Sequence, residues 1–147
     1  GYHFGAYGPG ASDGANSKAP RVTLLGSGAI LTEVIKAAHQ LAAQGVGVEV
    51  LSITSWSELA RDGMADETGT SSHLMRLLSA THGPVIAATD YVRAVPESVR
   101  AFVPEGRRYS TLGTDGFGRS DTRAALRRFF AVDADSIAQA ALAALAR

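Results

Sequence analysis

Between Leu112 and Arg123 the chain gathers three glycines, two carboxylates, two arginines, three hydroxyls and one phenylalanine. Asp115, Gly116, Phe117, Gly118, Arg119, Ser120, Asp121 and Arg123 are the residues of this stretch best suited to meet a ligand or a partner. Guanidinium forks match carboxylates and phosphates in two-point geometry, so Arg119 and Arg123 can hold such a group or pair internally with Asp115 and Asp121. Phe117 sits between two glycines. A large apolar side chain there either folds back on the core or enters another protein surface. A second reading stays open, in which the stretch only ends a strand and caps a helix, because turn chemistry also favours Gly, Asp and Ser.

A second candidate is Gly26-Ser27-Gly28 together with Thr89, Asp90 and Tyr91. Backbone N–H groups at a helix start attract anions, which invites a phosphate reading of the glycine pair. The surroundings argue for close packing of a strand-to-helix turn instead. The third glycine of the dinucleotide fingerprint is missing, no lysine follows, and no acidic residue ends the next strand. Ser27, Ser120, Asp90, Asp115, Asp121 and the histidines do not form a recognisable nucleophile set, since no Gly-x-Ser-x-Gly elbow is present. His39, His73 and His82 read as structural or solvated. No metal site is expected, because the sequence lacks a His-x-x-x-His or histidine-carboxylate cluster.

These candidates need elements to hold them. Tyr2–Tyr7 alternates large and small residues and predicts a short edge strand, and residues 8–20 read as a flexible linker. Val22–Leu25, Val46–Ile53, Pro84–Ala88 and Tyr109–Leu112 are short apolar runs, as expected of strands covered on both faces. Between them the helical period appears at Ile30–Ala42, with Gly45 as its stop, and again around Trp56, Leu59 and Ala60 behind a Thr54, Ser55 or Ser57 cap. Residues 61–72 are polar and predict a loop. A short helix is expected over residues 73–81 and another from Pro96 to Val103, ended by Pro104. Residues 122–131 and 136–146 complete the helices, with Asp133 or Asp135 capping the last. Alternating strands and helices predict an α/β fold with a mainly parallel sheet between helices. Functional loops of such sheets gather at the carboxyl ends of the strands. Both candidate groups fall on that edge.

Composition narrows the function. At 147 residues the chain is about the size of one domain. Its 14 basic and 14 acidic residues cancel, and no basic run supports a nucleic-acid or membrane surface. With no cysteine there is no disulfide framework, thiolate metal site or cysteine nucleophile. The apolar stretches are too short to span a membrane and no signal peptide is visible, so a cytoplasmic protein is expected. The start at Gly1 reads as a piece of something longer.

Four segments together resemble a known family. Val22–Leu31, Ser55–Gly63, Ala87–Tyr91 and above all Leu112–Arg123 are similar to the C-terminal domain of the homodimeric pyruvate dehydrogenase first component, in order and spacing, from Arg21 to the chain's end. The resemblance implies a transketolase-like C-terminal domain at residues 21–147: three α/β/α layers around a five-stranded, mixed, mostly parallel sheet. Residues 1–20 would add the edge strand, antiparallel to the rest, and the linker. It further implies a parent that decarboxylates pyruvate with thiamine diphosphate and magnesium, linking glycolysis to the citrate cycle. That parent passes the acetyl group to lipoyl groups of the acyltransferase component.

In that family the cofactor, metal and acid-base groups sit mainly on two preceding domains, so no catalytic, cofactor-binding or metal residue is expected in this chain. The expected partners are the remaining domains, a second subunit of a homodimer and the lipoyl acyltransferase. The 115–123 stretch would then face the dimer and border the active site. One departure stands out: Met64–Thr70 replaces the family's usual acidic-arginine-tryptophan-asparagine run and the longer segment after it. Two alternatives remain: a related 2-oxo acid dehydrogenase or transketolase-like enzyme, and a stand-alone module binding a small ligand in the pocket at Gly26, Ser27, Gly28, Thr89, Asp90 and Tyr91.

Overall fold

The computed structural model describes residues 1–9, 18–114 and 132–146. Five strands form one sheet in the order β1-β3-β2-β4-β5. They are β1 (Tyr2–Tyr7), β2 (Arg21–Gly26), β3 (Gly47–Ser52), β4 (Val85–Ala88) and β5 (Tyr109–Leu112). β1 runs antiparallel to β3, and β3, β2, β4 and β5 run parallel to one another. This is the mixed sheet expected, with β1 at one edge.

The parallel strands are mainly apolar because helices cover both faces. Val22, Leu24, Val48, Val50, Ile86 and Ala88 point to one face, where α1 (Leu31–Ala43) packs beside the last described helix, α5 (Ala134–Leu145). Leu25, Leu51, Val85 and Ala87 point to the other face. There they meet α2 (Trp56–Ala65), α3 (His73–Ser79) and Val99, which follows the single turn α4 (Ala94–Glu97). Period-two alternation of the strands thus builds two apolar cores, one on each face.

Local signals set most boundaries. Ser55 caps α2 by accepting from the Glu58 N–H at 3.2 Å, and Ser72 caps α3 by accepting from the Met75 N–H at 3.2 Å. Of the two aspartates offered for the last helix, Asp133 is the cap. Its Oδ1 accepts from the Ser136 N–H at 3.0 Å, while Asp135 is helical and accepts from Gln40 Nε2.

Two expectations need correction. Residues 61–65 are not loop: α2 continues to Ala65, because Gly63 lies inward against Phe102, where an added Cβ would stand 2.4 Å from the ring. The helix expected from Pro96 to Val103 is instead the turn α4 followed by a short tight turn at Arg100–Phe102. The hydroxyl of Tyr109 donates to the Pro96 carbonyl at 2.6 Å, drawing off an acceptor that a continuous helix would use. The helix expected over residues 122–131 lies outside the described residues, as does most of the linker, at 10–17.

The amino edge of the sheet is tied by one side chain. The guanidinium of Arg107 donates to the carbonyls of Gly83 (2.8 Å) and Leu78 (2.7 Å) and to the hydroxyls of Thr81 (3.0 Å) and Thr23 (3.1 Å). It joins β2, the end of α3 and the entry to β5, and its partial burial lowers its pKa.

Candidate functional site

All four parallel strands end on the same edge. β2 opens into Ser27-Gly28, β3 into Ile53-Thr54-Ser55, β4 into Thr89-Asp90-Tyr91 and β5 into Gly113-Thr114. β2 connects to β3 through α1 on one face, and β3 connects to β4 through α2 and α3 on the other. The winding therefore reverses between β2 and β4, which places a crevice at their carboxyl ends.

Neutral hydrogen bonds close the floor of this crevice. The Ser27 hydroxyl donates to Thr89 Oγ1 at 2.9 Å, and both residues are buried. Thr89 Oγ1 also accepts from the Tyr91 N–H at 3.2 Å. The next exit is stitched to this one, since Thr114 donates its N–H to the Tyr91 carbonyl (2.9 Å) and its hydroxyl to the Asp90 carbonyl (2.7 Å). Gly26 serves packing: a Cβ there would stand 2.8 Å from Val34 Cγ2 on α1. Gly28 turns the chain into the helix with φ +59°, a left-handed value that glycine adopts without strain.

Above this floor lies a cleft of about 420 Å³, lined by Ser27, Gly28 and the Ile53–Ser57 segment on one side and by Tyr91 and Val95 on the other. Trp56, the first residue of α2, is 4% exposed, and its indole Nε1 has no hydrogen-bond partner among the described residues. Tyr91 is 63% exposed at the rim.

Of the residues singled out by sequence, Ser27, Gly28 and Tyr91 line the cleft, Thr89 lies beneath it, Gly26 packs against α1, and Asp90 is exposed outside the lining. Asp115, Gly116, Phe117, Gly118, Arg119, Ser120, Asp121 and Arg123 lie outside the described residues. By sequence Trp56 reads as a buried residue of its helix that also starts at the carboxyl edge, and Val95 is not singled out. Trp56 had one locating signal, its place directly after a strand exit, and Val95 had none.

Among the described residues the strongest electrostatic perturbations lie away from the cleft. Glu97 is held at a pKa of about 2, first by hydrogen bonds from Arg100 (2.6 and 2.8 Å) and also by one from the Thr111 hydroxyl (2.6 Å). Burial pushes the Tyr109 phenol well above its usual range. Asp66 is held well below the carboxylate range, chiefly by the hydroxyls of Thr68 and Ser71. Each of these groups is saturated by neighbours, which marks it as structural. Among the described residues no three His, Asp or Glu side chains are grouped to hold a metal. No described helix is long and apolar enough to cross a membrane.

Residues 5–133 match the family model of the transketolase-like C-terminal domain. The chain belongs to this family. It is 52% identical over 141 residues to the pyruvate dehydrogenase E1 component of Cupriavidus necator, covering 89% of this chain and 16% of that protein. Against the same component of Escherichia coli K12 the identity is 45% over 135 residues, covering 86% and 15%. The chain thus spans about one-sixth of the length of these relatives.

Among solved structures it resembles a split-gene transketolase described as an inactive β4 tetramer, with a TM-score of 0.65 at 20% identity over 88% of this chain and 40% of that one. The transketolase of Campylobacter jejuni gives a TM-score of 0.61 at 22% identity over 86% and 17%. These structural likenesses confirm the fold, a transketolase-like C-terminal domain with its sheet between two helical layers.

Proposed function

We propose that this domain is the C-terminal part of a pyruvate dehydrogenase that oxidatively decarboxylates pyruvate and acetylates lipoyl groups of an acyltransferase component. The observation that carries this reading is the contrast in identity. The chain is 45–52% identical to E1 components over 86–89% of its length, but only 20–22% identical to transketolases of the same fold.

In this reading residues 1–20 are an edge strand and linker and residues 21–147 form the domain body. The body's role is to support a homodimer and to border the active site, in the cytoplasm. The stretch Asp115–Arg123 is its contact with the other domains and with the second subunit. The thiamine diphosphate of the parent is bound elsewhere. Among the described residues the cleft lining offers no basic side chain for a diphosphate and no acidic one for magnesium, so the described residues do not fit that cofactor.

The test is to read the coding region upstream of Gly1 and assay the enzyme it encodes. The reading expects a Gly-Asp-Gly magnesium motif and pyruvate-dependent acetylation of a lipoyl domain. A frame that starts at Gly1 overturns it, and preference for a different 2-oxo acid overturns the substrate. Within the parent enzyme, Phe117→Ala or Arg119→Ala is expected to weaken dimerisation or turnover. Unchanged assembly and rate in both variants would reject the interface role.

A further inference from the structure

We propose that Thr54 and His73 clamp the point where the polypeptide of the parent enzyme enters this domain, which fixes the preceding domain at the carboxyl edge of the sheet. The inference rests on the parent-enzyme reading and adds to it the two side chains that position the junction.

Topology puts the entry at that edge. Among the described strands β1 alone runs antiparallel to its neighbour. Its register sets Tyr2 opposite Ser52, the last residue of β3, and Tyr7 opposite Val48, near the start of β3. A chain that runs into β1 therefore arrives where the parallel strands end. About five-sixths of each relative lies outside this chain, and the matching family model is that of a C-terminal domain. In the parent reading that additional polypeptide precedes β1 and joins the domain at Gly1.

Gly1 is held by both of its backbone polar groups. Its carbonyl oxygen stands 2.8 Å from His73 Nε2, and its nitrogen stands 3.1 Å from Thr54 Oγ1. A carbonyl only accepts, so Nε2 is the protonated ring nitrogen. In the parent the terminal amine is a peptide N–H, which donates to the same hydroxyl oxygen.

Both side chains come from anchored positions. His73 is the first residue of α3, and its own N–H donates to Asp62 Oδ2 on α2 at 2.6 Å. Thr54 follows the buried Ile53 and precedes Ser55, the cap of α2. Packing reinforces the two bonds. A Cβ added to Gly1 would stand 3.0 Å from the Ser52 carbonyl oxygen and 3.1 Å from Ile53 Cδ1, so the entering backbone lies flat against the end of β3.

Domains joined by a free linker move relative to one another by default. Here the boundary residue is bonded at its nitrogen to the β3 exit and at its oxygen to α3. The arriving chain and the domain then move as one unit, and the strand exits meet the preceding domain in a set orientation.

The experiment uses the full-length parent enzyme and follows hydrogen–deuterium exchange by mass spectrometry in a peptide running from the preceding segment to Phe4. Thr54 is exposed, so Thr54→Val removes the acceptor without disturbing the core. Thr54→Val and His73→Leu are each expected to speed exchange of the junction peptide about fivefold, as for one ordinary hydrogen bond lost. Thr54→Ser and His73→Gln keep a hydroxyl and a side-chain N–H, and should restore slow exchange. Peptides covering β2 and β4 should be unchanged in Thr54→Val, a pattern that a general loss of stability would not give. A junction that exchanges as fast as a free peptide in the unsubstituted enzyme, or one that both variants leave unchanged, overturns the clamp. Pyruvate-dependent acetylation by that same enzyme would then leave the parent reading standing, whereas a frame that starts at Gly1 overturns both.

Discussion

Replacing Thr89 by valine is expected to destabilise the domain through its neighbour more than through itself. Valine keeps nearly the same shape but removes the oxygen that accepts from Ser27 at 2.9 Å and from the Tyr91 N–H at 3.2 Å. Tyr91 is exposed, so its N–H regains a partner in water at little cost. Ser27 is 6% exposed and cannot, and a buried hydroxyl left unpaired costs about 1–3 kcal/mol. We therefore expect Thr89→Val to lose about 2 kcal/mol. Ser27→Ala should lose about 1 kcal/mol, since Thr89 Oγ1 keeps the Tyr91 N–H. The double variant has no stranded hydroxyl and should lose no more than Thr89→Val alone, a coupling of about 1 kcal/mol. Urea unfolding followed by Trp56 fluorescence and by circular dichroism reads these values, and each kcal/mol should shift Tm by about 2–4 °C. Additivity of the two single losses within about 0.5 kcal/mol would show that the crevice is not bridged as described.

Three further outcomes follow from named contacts. Arg107→Met should cost about 2–3 kcal/mol in urea unfolding, because acceptors on β2, α3 and the loop after α3 lose a charged donor, while the exposed Arg108→Ala should stay within about 0.5 kcal/mol. Glu97 has a folded pKa of about 2 against an ordinary value of 4.5, so the unfolded chain binds more protons between these values. Its contribution is present above pH 4.5 and is lost as pH falls toward 2. Unfolding measured from pH 6 to pH 3 should show Glu97→Gln lacking that part of the acid dependence, and parallel curves for the two proteins would refute the pairing. Asp133→Ala should cost about 1 kcal/mol as a lost helix cap, while Asp135→Ala should stay within about 0.5 kcal/mol, and equal losses would reject the cap assignment.

The strands were legible because burial on both faces forces short apolar runs, and Val85–Ala88 and Tyr109–Leu112 stand where those runs are. The end of α2 was not legible. Arg61 and Asp62 are polar because they face solvent, and Gly63 reads as a helix breaker until Phe102, far along the chain, is seen to occupy the space of a side chain. The break after α4 was hidden for a similar reason, since the Tyr109 hydroxyl that takes the Pro96 carbonyl lies beyond the reach of local periodicity. At the cleft, Ser27, Gly28 and Tyr91 could be placed because strand exits share one edge in a parallel sheet. Trp56 could not be placed as a lining residue, because a bulky apolar residue at helical spacing is ordinarily core. Its place in the cleft lining, a fact of the packed structure, separates it from one.

The two ends of the sheet are fastened by different forces. At the amino end one guanidinium grips carbonyls and hydroxyls of β2, α3 and the loop after α3. At the carboxyl end Ser27, Thr89 and Thr114 make short neutral bonds. No change of protonation within the ordinary pH range touches those hydroxyl bonds, and screening by salt bears on charges rather than on them. The edge that carries the strand-exit loops therefore keeps its shape while charges nearby are added, lost or exchanged. New ligands and new partners can be tried at that edge without re-solving the problem of holding the strands together.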